Sequence, residues 1–354
     1  VSIGARTVVT VRPVHVVLPG NVDDPALPSG GNLYDRRVCS GLAEGRPVYE
    51  IAVAGSWPLP SRASRDALAR ELATVPDGGV VLLDGLVACG VPDVIVPEAA
   101  RLRLVVLVHL PLGEERGAAP ELDARERESL HAAAAVVATS TWTARRLVEH
   151  HGLPAERVHV VVPGADPAPL APGSDGATGL LCVGSLTATK GQDLLVEALA
   201  EAADLGWSCT VVGPLLRDPA YVTSVRAAIT AHGLDERIEL TGPRTGDELA
   251  AAFAAADLLV LPSRAESFGM VAAEALARGI PVLATALDGI AEALGRTLSG
   301  AVPGLLVPHE HLAEGLRRWL SDGDLRGGLR AAARERRPTV TTWDSTVRLL
   351  EGVL

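Results

Sequence analysis

Two glutamates, Glu266 and Glu274, stand eight residues apart at the ends of the run Glu-Ser-Phe-Gly-Met-Val-Ala-Ala-Glu. Eight residues of helix rise about 12 Å, too far for the two carboxylates to share a proton or a metal ion. They can instead hold two separated parts of one long ligand. The apolar run 258–261 before them reads as a buried strand, and a polar turn, Ser263 to Ser267, follows it. A helix over 270–278 is then closed by Gly279, where a helix end wants a residue free to adopt positive φ. The next strand is 280–285. Loops at strand carboxyl ends that feed a helix are where open α/β sheets bind ligands. The backbone N–H groups of Phe268, Gly269 and Met270 are expected to be free there, a seat for an anion or for sugar hydroxyls, beside Ser267.

A second group with chemical potential is Lys190, the only lysine of the chain, in Gly184-Ser185-Leu186-Thr187-Ala188-Thr189-Lys190-Gly191. A loop between strand and helix carrying one ammonium suits a diphosphate, because the cation can move to meet charge that builds on a leaving group. A lone lysine is ordinarily surface decoration. In a chain that otherwise writes its basic residues as Arg, that reading is weaker. A third is His109, delivered at the carboxyl end of a strand over 102–108, where a histidine is either a structural residue or a catalyst. Near the N-terminus a strand over 14–18 leads through a loop to Gly30, Gly31 and Asn32 and a helix over 33–42. That layout lets a backbone approach a phosphate without Cβ interference, and a plain tight turn explains it equally well. Asp35, Arg36 and Arg37 fit a solvated helix face too.

These residues need a scaffold, and the chain supplies one. Valine-rich runs alternate with alanine-rich amphipathic runs, the pattern of an α/β protein. At 354 residues the chain exceeds what one core usually holds, so two domains are the default. The first is expected over 1–166, with 1–12 a frayed lead-in. A Pro/Gly-rich linker spans 167–178, a second domain 179–338, and a terminal helix occupies 339–354. Hydrophobic residues make up 48% and aromatics only 3%, so Ala, Val and Leu must fill the cores. A single lysine and a single methionine suggest GC-rich coding, and Val1 then reads as a GTG start or a chain boundary.

The net charge of −11 disfavours nucleic acid or an anionic membrane surface as the main partner. Four widely spaced cysteines, Cys39, Cys89, Cys182 and Cys209, read as buried thiols of a cytoplasmic protein. There is no apolar run of transmembrane length. Asp322-Gly323-Asp324 has the form of a metal motif but falls in a turn between two helices, and no catalytic metal is expected.

With the flanking Leu-Pro-Ser and Gly-Ile-Pro-Val-Leu-Ala-Thr, the Glu-x7-Glu stretch resembles the signature of family 4 retaining glycosyltransferases of the GT-B fold. The resemblance covers about 14–350. It implies two Rossmann-like domains facing each other across a cleft, with the nucleotide-sugar donor on the second domain and the acceptor on the first. By that resemblance Glu274 binds the ribose, Lys190 the diphosphate, and Glu266 and His109 the donor sugar. Gly30, Gly31, Gly184, Ser185, Gly213, Pro214 and Arg244 line the donor site. For Arg244, contact with the base, contact with the diphosphate and capping of a carbonyl all remain open. Asn32, Tyr34, Glu114 and Glu115 face the acceptor. Pro163-Gly164-Ala165-Asp166 is similar to the family's turn at the end of the first domain. Many members carry Arg where this chain has Ser185, and often another where it has Thr189, so diphosphate binding leans on Lys190, on backbone amides or on an Arg from elsewhere.

The expected activity is transfer of a sugar from a UDP-, GDP- or other nucleoside-diphosphate sugar to a small soluble acceptor, with retention and without metal or cofactor. A sugar epimerase of the same fold, and a nucleotide-sugar-binding protein without activity, are the alternatives. The oligomeric state is left open.

Overall fold

The structure is a computed structural model that describes residues 12–114, 118–174 and 176–354. Glu115 lies outside the described residues. Two six-stranded sheets, parallel throughout, make up the molecule. The first contains β1 (Val14–Pro19), β2 (Val48–Val53), β3 (Val80–Asp84), β4 (Arg103–Val108), β5 (Ala135–Ala138) and β6 (Val158–Val160) in the order β2-β1-β3-β4-β5-β6. The second contains β7 (Gly179–Val183), β8 (Ser208–Val212), β9 (Ile238–Gly242), β10 (Leu258–Leu261), β11 (Val282–Thr285) and β12 (Gly304–Val307), ordered β12-β11-β10-β7-β8-β9. Both sheets are covered by helices, so their central strands are buried on both faces and read as continuous apolar runs: β3, β5, β10 and β11 are buried from end to end.

In each sheet the strand order reverses once, between β1 and β3 and between β7 and β10. The carboxyl ends beside such a reversal open a crevice that a ligand can enter. The four strand ends converge on one cleft of about 1070 Å³, lined from both sheets.

The described residues of the segment between β6 and β7 have no regular structure and are tied to the second sheet's layer. Ala171 N donates to Arg278 O, and buried Asp257 accepts from Ser174 N and Gly179 N. The terminal helix, Trp343–Glu351, returns to the first sheet. Its Trp343, Val347 and Leu350 bury against Val38, Cys39 and Leu42 of the helix Gly30–Ala43, and its Thr346 hydroxyl donates to Val162 O. All four cysteines are buried and free. No helix among the described residues is long and apolar enough to cross a membrane.

Three expectations are corrected. The glycine pair does not precede its helix: Ser29 is the N-cap, accepting from Asn32 N at 3.1 Å, and Gly30 and Gly31 form the first turn. Tyr34 is fully buried with its hydroxyl donating to Val161 O at 3.0 Å, so it is a core residue and faces no acceptor. Glu114 is ion-paired to Arg146 at 2.5 Å and does not line the cleft. Of the pair expected in a turn, Asp322 does lie between helices and caps the helix Gly323–Arg336 through Leu325 N, whereas Asp324 falls in that helix's first turn.

Candidate active site

After β10 the chain turns through Pro262–Phe268 and enters the helix Met270–Ala277 at Gly269, whose φ of +88° only glycine adopts without strain. Phe268 is buried and anchors the turn. Among the described residues, the amides of Phe268, Gly269 and Met270 have no protein acceptor, so a helix N-terminus with free donors opens on the cleft. The helix ends as its glycine requires: Gly279 has φ +70°, its N–H meets Leu276 O, and Ile280 N reaches back to Ala275 O.

Lys190 and Glu266 meet. Nζ lies 2.6 Å from Oε2, and the Lys190 side chain is one-third exposed to the cleft. The loop that carries Lys190 is braced from behind by Arg264. Its guanidinium holds both oxygens of Asp193, at 2.7 and 2.6 Å, and donates to Ala188 O at 2.9 Å, while its N–H donates to Thr189 O. Tyr221 closes the network with a hydroxyl bond to Asp193 at 2.5 Å. Together Arg264 and the Tyr221 hydroxyl hold the Asp193 carboxyl below its usual range against the opposing effect of burial. This brace was not expected. In sequence Arg264 sits in a polar turn and Asp193 at a helix start, 71 residues apart, with no periodicity to join them. Gly184 and Gly213, at the ends of β7 and β8, pack backbone to backbone: a Cβ on Gly213 would stand 1.9 Å from Gly184 O. That closeness brings Ser185, Pro214 and Arg244 onto the same wall of the cleft. Arg244 stands 3.5 Å from Glu239.

Glu274 lies on the cleft side of its helix and is half-buried there. Burial pushes it up to about 7, with Asp166 adding to the rise and the Arg278 and Arg37 guanidiniums opposing it. A carboxylate so raised needs hydrogen-bond donors to stay ionised at neutral pH, and a diol would supply them.

His109 enters from the opposite wall, at the end of β4. Its Nε2 is 2.9 Å from Oδ1 of Asp35 and 3.5 Å from Oδ2 of Asp84. Asp84 ends β3 and caps the next helical turn through Leu86 N and Val87 N. Both carboxyls are buried. Burial pushes Asp84 up to about 8, and the charge of Asp35 adds to the rise. Burial by itself lowers the His109 imidazole, but the charge and hydrogen bond of Asp35, with Asp84 behind it, lift it above its ordinary value. Asp84 is thus pushed toward its protonated form beneath a histidine held with one nitrogen inward. One ligand atom from each of the three lies within 4.8 Å of the others, near enough for a cation in principle. Burial of Asp84, which raises its carboxyl against the opposing N–H of Leu86, favours a proton over a cation there. Gly31 makes room for the ring, since a Cβ would lie 3.1 Å from Cδ2 of His109. Asp35 is therefore no solvated residue but the partner of His109.

The site thus gathers Gly30, Gly31, Asn32, His109, Gly184, Ser185, Lys190, Gly213, Pro214, Arg244, Glu266, Ser267, Phe268, Gly269, Met270 and Glu274 around one cleft.

Residues 173–336 match the family model described as glycosyl transferases group 1, and residues 53–169 that of glycosyltransferase family 4. D-inositol 3-phosphate glycosyltransferase 1 of Catenulispora acidiphila is 34% identical over 267 residues, covering 69% of this chain and 62% of the relative. The D-inositol 3-phosphate glycosyltransferase of Jonesia denitrificans is 35% identical, covering 65% and 59%. The chain thus spans about 60% of the length of these relatives. Among solved structures, sucrose-phosphate synthase from Thermosynechococcus elongatus superposes with a TM-score of 0.77 at 21% identity, covering 97% of this chain and 98% of that one. HepE of Anabaena in complex with UDP and glucose does so with 0.76 at 19% identity, covering 96% and 98%. At such identities these two speak for the fold. With both sheets, the cleft between them and family models that together run from residue 53 to 336, the chain belongs to the family 4 glycosyltransferases of the GT-B fold.

Proposed function

We propose that the protein transfers a sugar from a nucleoside-diphosphate sugar to a small soluble acceptor, with retention of anomeric configuration and without a metal ion. The observation that carries this reading is the convergence of Lys190, Glu266, Glu274 and three unpaired helix-start amides on one cleft. Glu274 accepts from the ribose hydroxyls, Lys190 meets the diphosphate, and Glu266 and His109 orient the sugar. That HepE was solved with UDP, and with UDP-glucose, supports a nucleotide in this cleft.

In the transfer, the bond from the anomeric carbon to the phosphate oxygen breaks as the bond to the acceptor oxygen forms. The acceptor's proton passes to a phosphate oxygen, and the nucleoside diphosphate leaves. Retention follows if the acceptor attacks the face the diphosphate vacates. The engagement of Glu266 by Lys190, rather than its freedom to act as a nucleophile, favours that course. Growing negative charge on the departing phosphate is met by Lys190 and the amides, fixed before the reaction starts.

A thermal-shift panel of UDP, GDP, ADP and TDP tests the reading. A ligand at a hundred times its Kd stabilises the folded state by about 2.7 kcal/mol, so at least one should raise the melting temperature clearly, and a flat response to all four would sink the proposal. Activity is expected to survive EDTA, and the double variant Asp322→Asn/Asp324→Asn to stay active. Loss of turnover restored by Mg²⁺ or Mn²⁺ would overturn metal independence. NMR of donor incubated without acceptor separates transfer from epimerisation, since an epimer equals the donor in mass and differs only in configuration.

A further inference from the structure

The two walls of the cleft differ in chemistry, and the wall opposite the proposed donor site is apolar. Trp57, just beyond β2, has its ring fixed by a hydrogen bond from Nε1 to Val53 O at 2.9 Å. Leu86 follows the end of β3 and is 37% exposed. Leu110 and Leu112 follow β4, and all four line the cleft. A leucine that exposed inside a cleft is an apolar surface without a partner in the protein.

The charged groups on the same wall add to the picture. Asp84 and Glu126 are carboxyls, and Glu126 is held by Leu112 N at 3.1 Å and by His151 at 3.0 Å. Arg217 reaches across from the second sheet and donates to Leu27 O at 3.3 Å; the cations that this wall's own elements bring to the cleft, among the described residues, are His109 and Arg37. Each already faces a carboxylate, His109 that of Asp35 at 2.9 Å and Arg37 that of Asp166. A phosphate ester entering here would lose its hydration beside the Glu126 carboxyl and would have to break an existing ion pair to gain either of these cations. An uncharged alcohol would lose little and would cover Leu86 and Trp57, whose ring offers a face for stacking.

We propose that the acceptor is an uncharged hydroxyl compound with an apolar or aromatic flank, seated on Trp57, Leu86 and Leu110, and not a phosphate ester. This rests on the transferase reading above and departs from the acceptor that the relatives' names carry. The flank fixes orientation while the hydroxyl points toward the sugar end of the donor site, between His109 and Glu266.

The test is calorimetric, on the full chain saturated with whichever nucleoside diphosphate gives the largest thermal shift. Phenyl β-D-glucopyranoside and D-inositol 3-phosphate are titrated in parallel. The neutral aryl glucoside should bind at least about tenfold more tightly, a difference of about 1.4 kcal/mol. Leu86→Arg should reverse that order, since it replaces apolar surface with an unpaired cation at an exposed position. An unchanged melting temperature would verify its fold. Equal or tighter binding of the phosphate ester by the unaltered protein overturns the inference, and so does failure of the aryl glucoside to bind at all. If no nucleotide binds in the first place, it is the transferase reading that has failed.

Discussion

The two sheets share strand number, direction and a single reversal of order, yet they dress their cleft-facing ends in opposite ways. The second sheet presents unpaired backbone donors, a lysine and two glutamates, braced by Arg264 and Asp193 from behind. The first presents tryptophan and leucine, with its charges neutralised internally: His109 against Asp35 and Asp84, and Arg37 against Asp166. One edge is built to recognise a polar, charged ligand through its backbone and fixed charges. The other recognises shape and apolar area. A fold with two equivalent binding edges can therefore keep one constant and vary the other without disturbing the scaffold, because both kinds of residue sit in strand-end loops.

The comparison breaks first at Lys190. If the charged edge works on the transition state, Lys190→Ala should lower kcat by at least about tenfold, equivalent to about 1.4 kcal/mol. Lys190→Arg should recover part of that, since a planar guanidinium does not reproduce a compact ammonium. The Lys190–Glu266 pair is partly exposed, so its loss should cost about 1 kcal/mol of stability or less. Near-normal kcat in a steady-state assay of Lys190→Ala would remove the residue from the mechanism and turn attention to Arg244.

The next largest effect is expected at Glu274. Glu274→Gln removes the charge proposed to accept from the ribose hydroxyls, and a hydrogen bond to a charged group contributes about 1.5–3 kcal/mol. Nucleoside-diphosphate affinity measured by calorimetry should fall about tenfold or more. The wild-type affinity should also strengthen as pH rises through about 7, where burial has placed the carboxyl's titration. Unchanged affinity in the variant would remove Glu274 from the nucleotide site.

The charged edge was legible in sequence for a physical reason. Glu266, Glu274 and the turn between them lie within one strand–loop–helix unit, so local periodicity and spacing position them. The buried strands, read as apolar runs, appear close to where expected, and so does the glycine stop at 279. What stayed hidden depends on contacts between distant segments. Asp35 was indistinguishable from a solvated helix residue until β4 brought His109, 74 residues away, against it. Tyr34 misled in the opposite sense, because its burial comes from the terminal helix closing over it with Trp343. The short helices Gly85–Ala88 and Pro92–Glu98 escaped notice because they are too brief for a 3.6-residue period to show.

The smallest expected effect falls on stability and concerns both edges at once. Asp84, in the first sheet, is raised to about 8 by burial and by Asp35, and Glu274, in the second, to about 7 by burial. A carboxyl whose folded value is raised binds its proton more tightly in the native state. Its contribution is complete below the ordinary carboxylate range near 4 and is lost as pH rises through the folded value. His109, raised by its carboxylate partners against the effect of burial, has the same sign, with its contribution lost as pH rises through its elevated value. Carboxylates held low by ion pairs, such as Asp123 with His150 and Asp193 with Arg264, lose their contribution only at pH values below about 4 and do not mask the trend. The ligand-free protein should therefore melt at least about 2–4 °C lower at pH 8.5 than at pH 5.5, a shift of the size that about 1 kcal/mol produces in a domain of 150–250 residues. Asp84→Asn, whose amide oxygen can still accept from Leu86 N, should flatten the first sheet's share of that slope. Glu274→Gln should flatten the share of the second. A melting temperature that is level or rises over this range would mean that both carboxyls are ionised in the native protein, and that Asp84 holds no proton beneath His109.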